Sequence, residues 1–180
     1  MATEEPRFDL IKKEDDFELR RYQAMIIAEV QVTGTLSEAS NQGFRQVADF
    51  IFGNNEDPVK KKSEKIDMTA PVTIEENKAK ENNGQTWKLA FVMPEKFTME
   101  TLPKPKNANI SIRSLPAQQV AVVTFSGWVD EEKMALQTQR LEEWVKKNAW
   151  KTSGPAQLSR YNPPWTLPFW RRNEIWLKLD

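Results

Sequence analysis

The sequence predicts an α+β fold, a distorted antiparallel β-barrel or twisted sheet of about eight strands with two helices, built as two pseudo-symmetric ββαββ halves. Three observations predict it. An ungapped internal repeat places residues 17–34 (FELRRYQAMIIAEVQVTG) over residues 110–127 (ISIRSLPAQQVAVVTFSG), a shift of 93. Identities fall at Arg20/Arg113, Ala24/Ala117, Ala28/Ala121, Val30/Val123 and Gly34/Gly127. Each copy is followed by a stretch of helical apolar spacing, and then by runs of strict apolar–polar alternation.

Taken in order, each repeat copy reads as a short strand, a turn and a longer β-branched strand ending at glycine, the pattern of a hairpin. Ser37 and Asp130 coincide at the same shift and are the expected N-caps of the two helices. The first helix sets Phe44, Val47, Ala48 and Ile51 on one face and should stop at Gly53-Asn54-Asn55. The second carries Met134, Leu141, Trp144 and Val145 at helical spacing, with Glu131 and Glu132 in its first turn. Its last turn holds Lys146 and Lys147, as the helix dipole prefers.

Ile66, Met68, Ala70, Val72 and Ile74 alternate with polar residues or proline as one strand with a single buried face. Trp87, Leu89, Phe91 and Met93 mark the next strand, and Ile175, Leu177 and Leu179 the last. Pro71 falls on Pro164 at the shift of 93, which equates TAPV with YNPPW. The polar inserts 53–64, 75–86 and 100–109 read as loops. Neither half buries a sheet face and a helix stripe well alone, so residues 1–180 are expected to form one domain, with halves of about 8–99 and 106–180.

Composition removes most functional classes. The chain has neither cysteine nor histidine, so disulfides, thiolate nucleophiles, Ser-His-Asp triads, HExxH zinc sites and histidine haem ligation are excluded. No glycine-rich phosphate loop or GxSxG elbow is present. Lys and Arg balance Asp and Glu at a net charge of zero, which argues against a nucleic-acid partner. Lys60-Lys61-Lys62 reads as a solvated loop, with a phosphate or lipid-headgroup contact as its alternative. No apolar run reaches transmembrane length, and MATEEPRFDL is not a signal peptide. The chain as it stands therefore reads as soluble and cytoplasmic, or as periplasmic or exported where a signal has been removed. Asn109-Ile110-Ser111 is a formal glycosylation sequon.

The segments KIDMTAPV (65–72), FVMP (91–94), LPKP (102–105), VAVVTFSG (120–127) and YNPPWTLPFWRRNEIWL (161–177) occur in this order. Together they resemble the SOUL family of haem-binding proteins over nearly the whole chain, and the wider GyrI-like group of effector-binding domains. The resemblance implies a distorted barrel of two βαββ-type halves flanked by two helices. It also implies binding of haem or another tetrapyrrole in an apolar cleft beside the first helix, with basic side chains on the propionates. The matching helix face here is Asn41, Phe44, Arg45, Ala48 and Phe52, and the family's occasional histidine ligand is impossible in this chain.

A flat apolar slot with cations near two carboxylates is what a tetrapyrrole requires. Slot candidates are Phe44, Ala48, Met68, Phe91, Trp165, Phe169 and Trp170; clamp candidates are Arg45, Lys65, Arg171 and Arg172. Met68 and Phe91 fit plain core positions equally, and neighbouring strand residues face oppositely, so only one of Arg171 and Arg172 can serve a given cleft. Met68, Tyr22 and Tyr161 are the axial-ligand candidates for iron. Two alternatives stay open beside this small-ligand carrier or buffer. One is a GyrI-like hydrolase using Glu174 amid Trp165, Trp170 and Trp176, its pKa raised by burial. The other is an interaction module meeting an unidentified protein or a membrane, hinted at by Trp150.

Overall fold

The computed structural model describes residues 3–77, 84–163 and 165–180. Strands β1 (Phe8–Glu14), β2 (Phe17–Tyr22) and β3 (Met25–Thr33) lead into helix α1 (Leu36–Ile51). A two-residue strand β4 (Asn55–Glu56), then β5 (Val72–Glu76) and β6 (Thr86–Val92), complete the first half. The second half comprises β7 (Lys104–Pro105), β8 (Ile110–Leu115), β9 (Gln118–Phe125), α2 (Glu131–Lys147), β10 (Gln157–Arg160), a 3-10 turn (Pro168–Trp170) and β11 (Asn173–Lys178). Among the described residues, one antiparallel sheet has nine strands in the order β1-β2-β9-β11-β10-β5-β6-β3-β8, and β4 pairs with β7 in a separate ribbon. No helix of the described residues is long and apolar enough to cross a membrane.

Apart from β1, the order reads the same outward from the β10–β5 pair, equating β2 with β8, β3 with β9, β5 with β10 and β6 with β11. The expected hairpins do not form. β2 pairs with β9 and β8 with β3, so the first strand of each half crosses to the other half. Alternation specifies which face a strand buries but not its partner, and β3 and β9 carry the same pattern. The crossing also curls the sheet. β2 and β3 lie six positions apart, about 29 Å in a flat sheet at ~4.8 Å per strand. The Gln23-Ala24 linker between them spans at most about 11 Å. Only a sheet bent into a half-barrel satisfies both.

Both helices pack on one face of this sheet. Ala28, Val30, Val32, Leu89, Phe91, Val123, Ile175 and Leu177 meet Val47, Phe50 and Ile51 of α1 and Leu141, Trp144 and Val145 of α2 in one core. Thr35, not Ser37, caps α1. Glu38 stands three residues after Thr35 and closes a capping box, which Ser37 has no acid to match, and Gly34 turns the chain into it at φ +128°. Asp130 caps α2 as expected, accepting from the Lys133 N–H. Gly43 permits close approach of α1 to β6, since a Cβ there would lie 2.9 Å from Leu89 Cδ1 and 3.0 Å from Leu89 Cβ. Gly43→Val should therefore lower the unfolding free energy by about 1–3 kcal/mol in urea denaturation, despite valine's better helix propensity than glycine's.

Other expectations are corrected by the strand pairing. The run 66–74 is strand only from Val72; Ile66 is buried in irregular chain, Thr69 bridges to Glu4, and Ala70–Pro71 is cis. The register of a strand needs a paired neighbour as well as alternation, and the Ile66 N–H bonds instead to the Ile51 carbonyl after α1. β1 has no counterpart in the repeat, and the ribbon β4–β7 occupies two segments expected to be loops. Pro164 lies outside the described residues. The equivalence of β5 with β10 sets the chain after Tyr161 in the place of the β5–β6 connection, not of TAPV. Trp150 is half-buried, edge-on to Trp144 at 5.1 Å.

Candidate functional site

The two faces of the sheet carry different chemistry. On the helix side, Phe44 of α1 is half-buried with its ring 5.9 Å from that of Phe91, which is fully buried core. Ala48, half-buried, and Phe52, exposed, follow at spacings of four, extending the apolar line along α1. Asn41 and Arg45 flank this line and are exposed. The segment after α1 runs back beside its C-terminal end, held by the Ile66 N–H, with Lys65 Nζ 5.8 Å from the Phe52 ring centre. Met68 follows with 41% of its surface exposed.

The loop between β10 and β11 lies over the β9–α2 connection. The Gly127 N–H donates to the Pro168 carbonyl at 2.9 Å, and Arg171 stacks on Trp128 at 3.9 Å while its Nε donates to the Thr166 carbonyl at 2.7 Å. Trp165 (84% exposed), Phe169 and Trp170 project from this loop, the last two edge-on at 5.0 Å. Trp128 and Arg160 were not among the residues singled out from the sequence. Arg160 leaves β10 toward the same side, donating to the Val129 carbonyl at 3.4 Å. Burial and the adjacent Arg171 charge both lower its pKa, so two guanidinium groups are brought together beside exposed aromatics. Arg160 ends a four-residue strand in a sequence of weak alternation, which is why it gave no signal.

Arg172 takes the opposite face, as strand alternation requires. There Glu174, with no exposed surface, is the centre of a polar cluster. Arg20 donates to both its carboxylate oxygens, Nη1 to Oε2 at 2.9 Å and Nη2 to Oε1 at 3.0 Å. Arg172 donates from Nε and Nη2 to Oε1 at 3.1 and 2.9 Å, and its Nη1 reaches Glu5. The Tyr161 hydroxyl and the Trp176 indole N–H each donate to Oε2 at 2.7 Å. Tyr22 accepts from Arg20 at 2.9 Å and packs on Trp176, with ring centres 4.7 Å apart.

Burial alone pushes the Glu174 carboxyl up, but the Arg20 guanidinium, the Trp176 N–H and the Arg172 charge outweigh it and hold the group below the ordinary carboxylate range. The expected upward shift is therefore reversed, and Trp165 and Trp170 are exposed loop residues rather than walls around Glu174. Burial, reinforced at Tyr161 by the Glu174 charge, raises the pKa of Tyr161 and of Tyr22, keeping both phenols protonated. Beside this cluster, the same face holds a cleft of about 290 Å³ floored by Met25, Ile27, Ala90, Val92, Val120 and Trp176.

A model of the family described as SOUL heme-binding protein matches residues 3–178. A comparison with curated proteins finds no match. Among solved structures, the chain is similar to the C-terminal domain of EcmrR at a TM-score of 0.67 and 14% identity, covering 91% of this chain and 96% of that one. It is similar to a hydrolase encoded by lin2189 from Listeria innocua at a TM-score of 0.62 and 10% identity, covering 92% of each. SAV2435 bound to tetraphenylphosphonium is similar at a TM-score of 0.51 and 13% identity, covering 91% of this chain and 93% of that one. A longer EcmrR chain, of which 57% is covered, has been seen in a complex with DNA. At these identities the likeness to solved structures concerns the fold.

Proposed function

Because this chain belongs to the SOUL haem-binding family, we propose that it is a non-enzymatic carrier or buffer of haem or another tetrapyrrole, bound non-covalently on the helix side of the sheet. One observation carries the reading: an apolar line on the outside of α1 is edged by the cations Arg45 and Lys65. From Phe44 to Phe52 that line measures about 12 Å along the helix, a length suited to one flat macrocycle. Phe44, Ala48 and Phe52 supply the contact surface with Met68, while Trp165, Phe169 and Trp170 are exposed on the loop over the β9–α2 connection. Arg45, Lys65 and Arg171, with Arg160, supply cations for carboxylates. Arg172 is committed to Glu174 and Glu5 on the other face.

The residues present fit a grip on the ring better than a bond to its iron. Tyr22 and Tyr161 are tied into the Glu174 cluster as protonated phenols, which leaves Met68 as the one exposed donor among the three axial candidates. When bound, haem supplies a flat apolar ring with two carboxylates, and this chain's part is to stack on the ring and pair the acids.

The hydrolase name of the lin2189 protein gives a second reading. It needs a carboxylate whose pKa lies near the working pH, and two arginines hold Glu174 well away from that. Tetraphenylphosphonium in SAV2435 suggests a cation binder, but the buried negative charge of Glu174 is already matched here by Arg20 and Arg172. A spectrophotometric hemin titration tests the proposal. We expect a saturable Soret shift that persists in Met68→Ala and Tyr161→Phe; a featureless, non-saturating response would exclude haem as the ligand.

A further inference from the structure

We propose that the cleft on the helix-free face is a second binding site, selective for a small amphipathic carboxylate such as a medium-chain fatty acid or an aryl acid. Its floor is apolar, from Met25, Ile27, Ala90, Val92, Val120 and Trp176, and its volume of about 290 Å³ suits a ligand of that size. Those floor residues belong to two buried clusters separate from the main core, so their packing is completed at the cleft rather than by either helix. The mouth decides the charge of the ligand. Glu29 is taken by Arg113 at 2.8 Å, and Glu75 accepts the Gln157 amide at 2.7 Å. Lys88 and Lys178 also line the cleft, and among the described residues neither ammonium group has an ion-pair or hydrogen-bond partner.

Lys88 is half-buried, across the strand pair from Glu75, so its charge is poorly screened by water. With Glu29 spent on Arg113, the two lysines outnumber the remaining acid. An apolar tail on the floor with its carboxylate at the lysines matches both features. This site is independent of the tetrapyrrole reading, because its residues and those of α1 lie on opposite faces of the sheet.

Calorimetric titration with decanoate and with decylammonium, both below their micellar concentrations, tests it. We expect saturable decanoate binding and at least about tenfold weaker decylammonium binding. Lys88→Glu with Lys178→Glu should weaken decanoate by about tenfold or more and leave the hemin titration unchanged. Ala90→Trp should abolish decanoate binding by filling the floor; the lysine double variant, altered only at the mouth, decides the matter if Ala90→Trp does not fold. Equal or tighter binding of decylammonium, no saturable binding of either probe, or displacement of decanoate by one equivalent of hemin would overturn the proposal.

Discussion

Arg20→Met should lower the unfolding free energy by about 3–5 kcal/mol in chemical denaturation, the largest single-residue effect expected on this fold. The substitution keeps the bulk of the side chain but leaves Glu174 fully buried with only one of its two guanidinium partners. Arg172 cannot replace Arg20, since it is partly exposed and shared with Glu5. Glu174→Gln should destabilise in the same direction but less, because Arg20 keeps Glu18 as a counter-charge at 2.7 Å.

The folded-state pKa of Glu174 lies below the ordinary glutamate value of 4.5. Its contribution is therefore fully present above 4.5 and is lost as pH falls through the folded value. Tyr161, raised above 10.0 by burial and by Glu174, contributes below 10.0 and loses that contribution as pH rises toward its folded value. Denaturation midpoints measured from pH 2 to 11 should accordingly fall at both ends. In Arg20→Met the acid limb should flatten, because the force holding the Glu174 pKa down is largely gone. An unchanged acid limb would show that Glu174 does not draw its stabilisation from Arg20.

Reversing the cations beside α1 gives the second large effect. Arg45→Glu with Lys65→Glu should weaken hemin binding by about tenfold or more, since each change replaces an attraction for a carboxylate by a repulsion. Both residues are exposed, so unfolding midpoints should change little. Arg172→Glu should instead destabilise the protein through Glu174. That contrast separates Arg172, a structural partner of Glu174, from the exposed cations beside α1.

Much of the architecture was legible because the repeat preserves faces. The buried positions of β3 and β9, the two helix stripes and the final strand all follow from period and spacing, and each lies where that predicts. Strand partners were not legible, because β2 fits β3 and β9 equally well. Arg20 and Arg113 make the point at a single repeat position. They are identical residues at equivalent places, yet Arg20 is buried on Glu174 while Arg113 is exposed and pairs with Glu29. The difference comes from β1, which has no copy in the second half. It pairs with β2 and sets Phe8 over Arg20 at 4.4 Å, whereas β8 is left as the sheet edge. Glu174 was visible as a residue of interest, but its buried arginine partner, Arg20, lies 154 residues away in sequence and no local pattern joins them. The apolar face of α1 was legible from its spacing, whereas Asn41, Arg45 and Phe52 were singled out only through the resemblance.

Hemin titration of wild type beside Ala48→Glu reads out whether the outer side of α1 holds a tetrapyrrole. Ala48 is half-buried in the middle of the apolar line, so a carboxylate there opposes the ring without removing core. We expect a saturable Soret shift in the wild type and at least about tenfold weaker binding in Ala48→Glu, with the far-UV spectrum unchanged. Equal hemin binding by the two proteins, or no saturable shift in either, would contradict it.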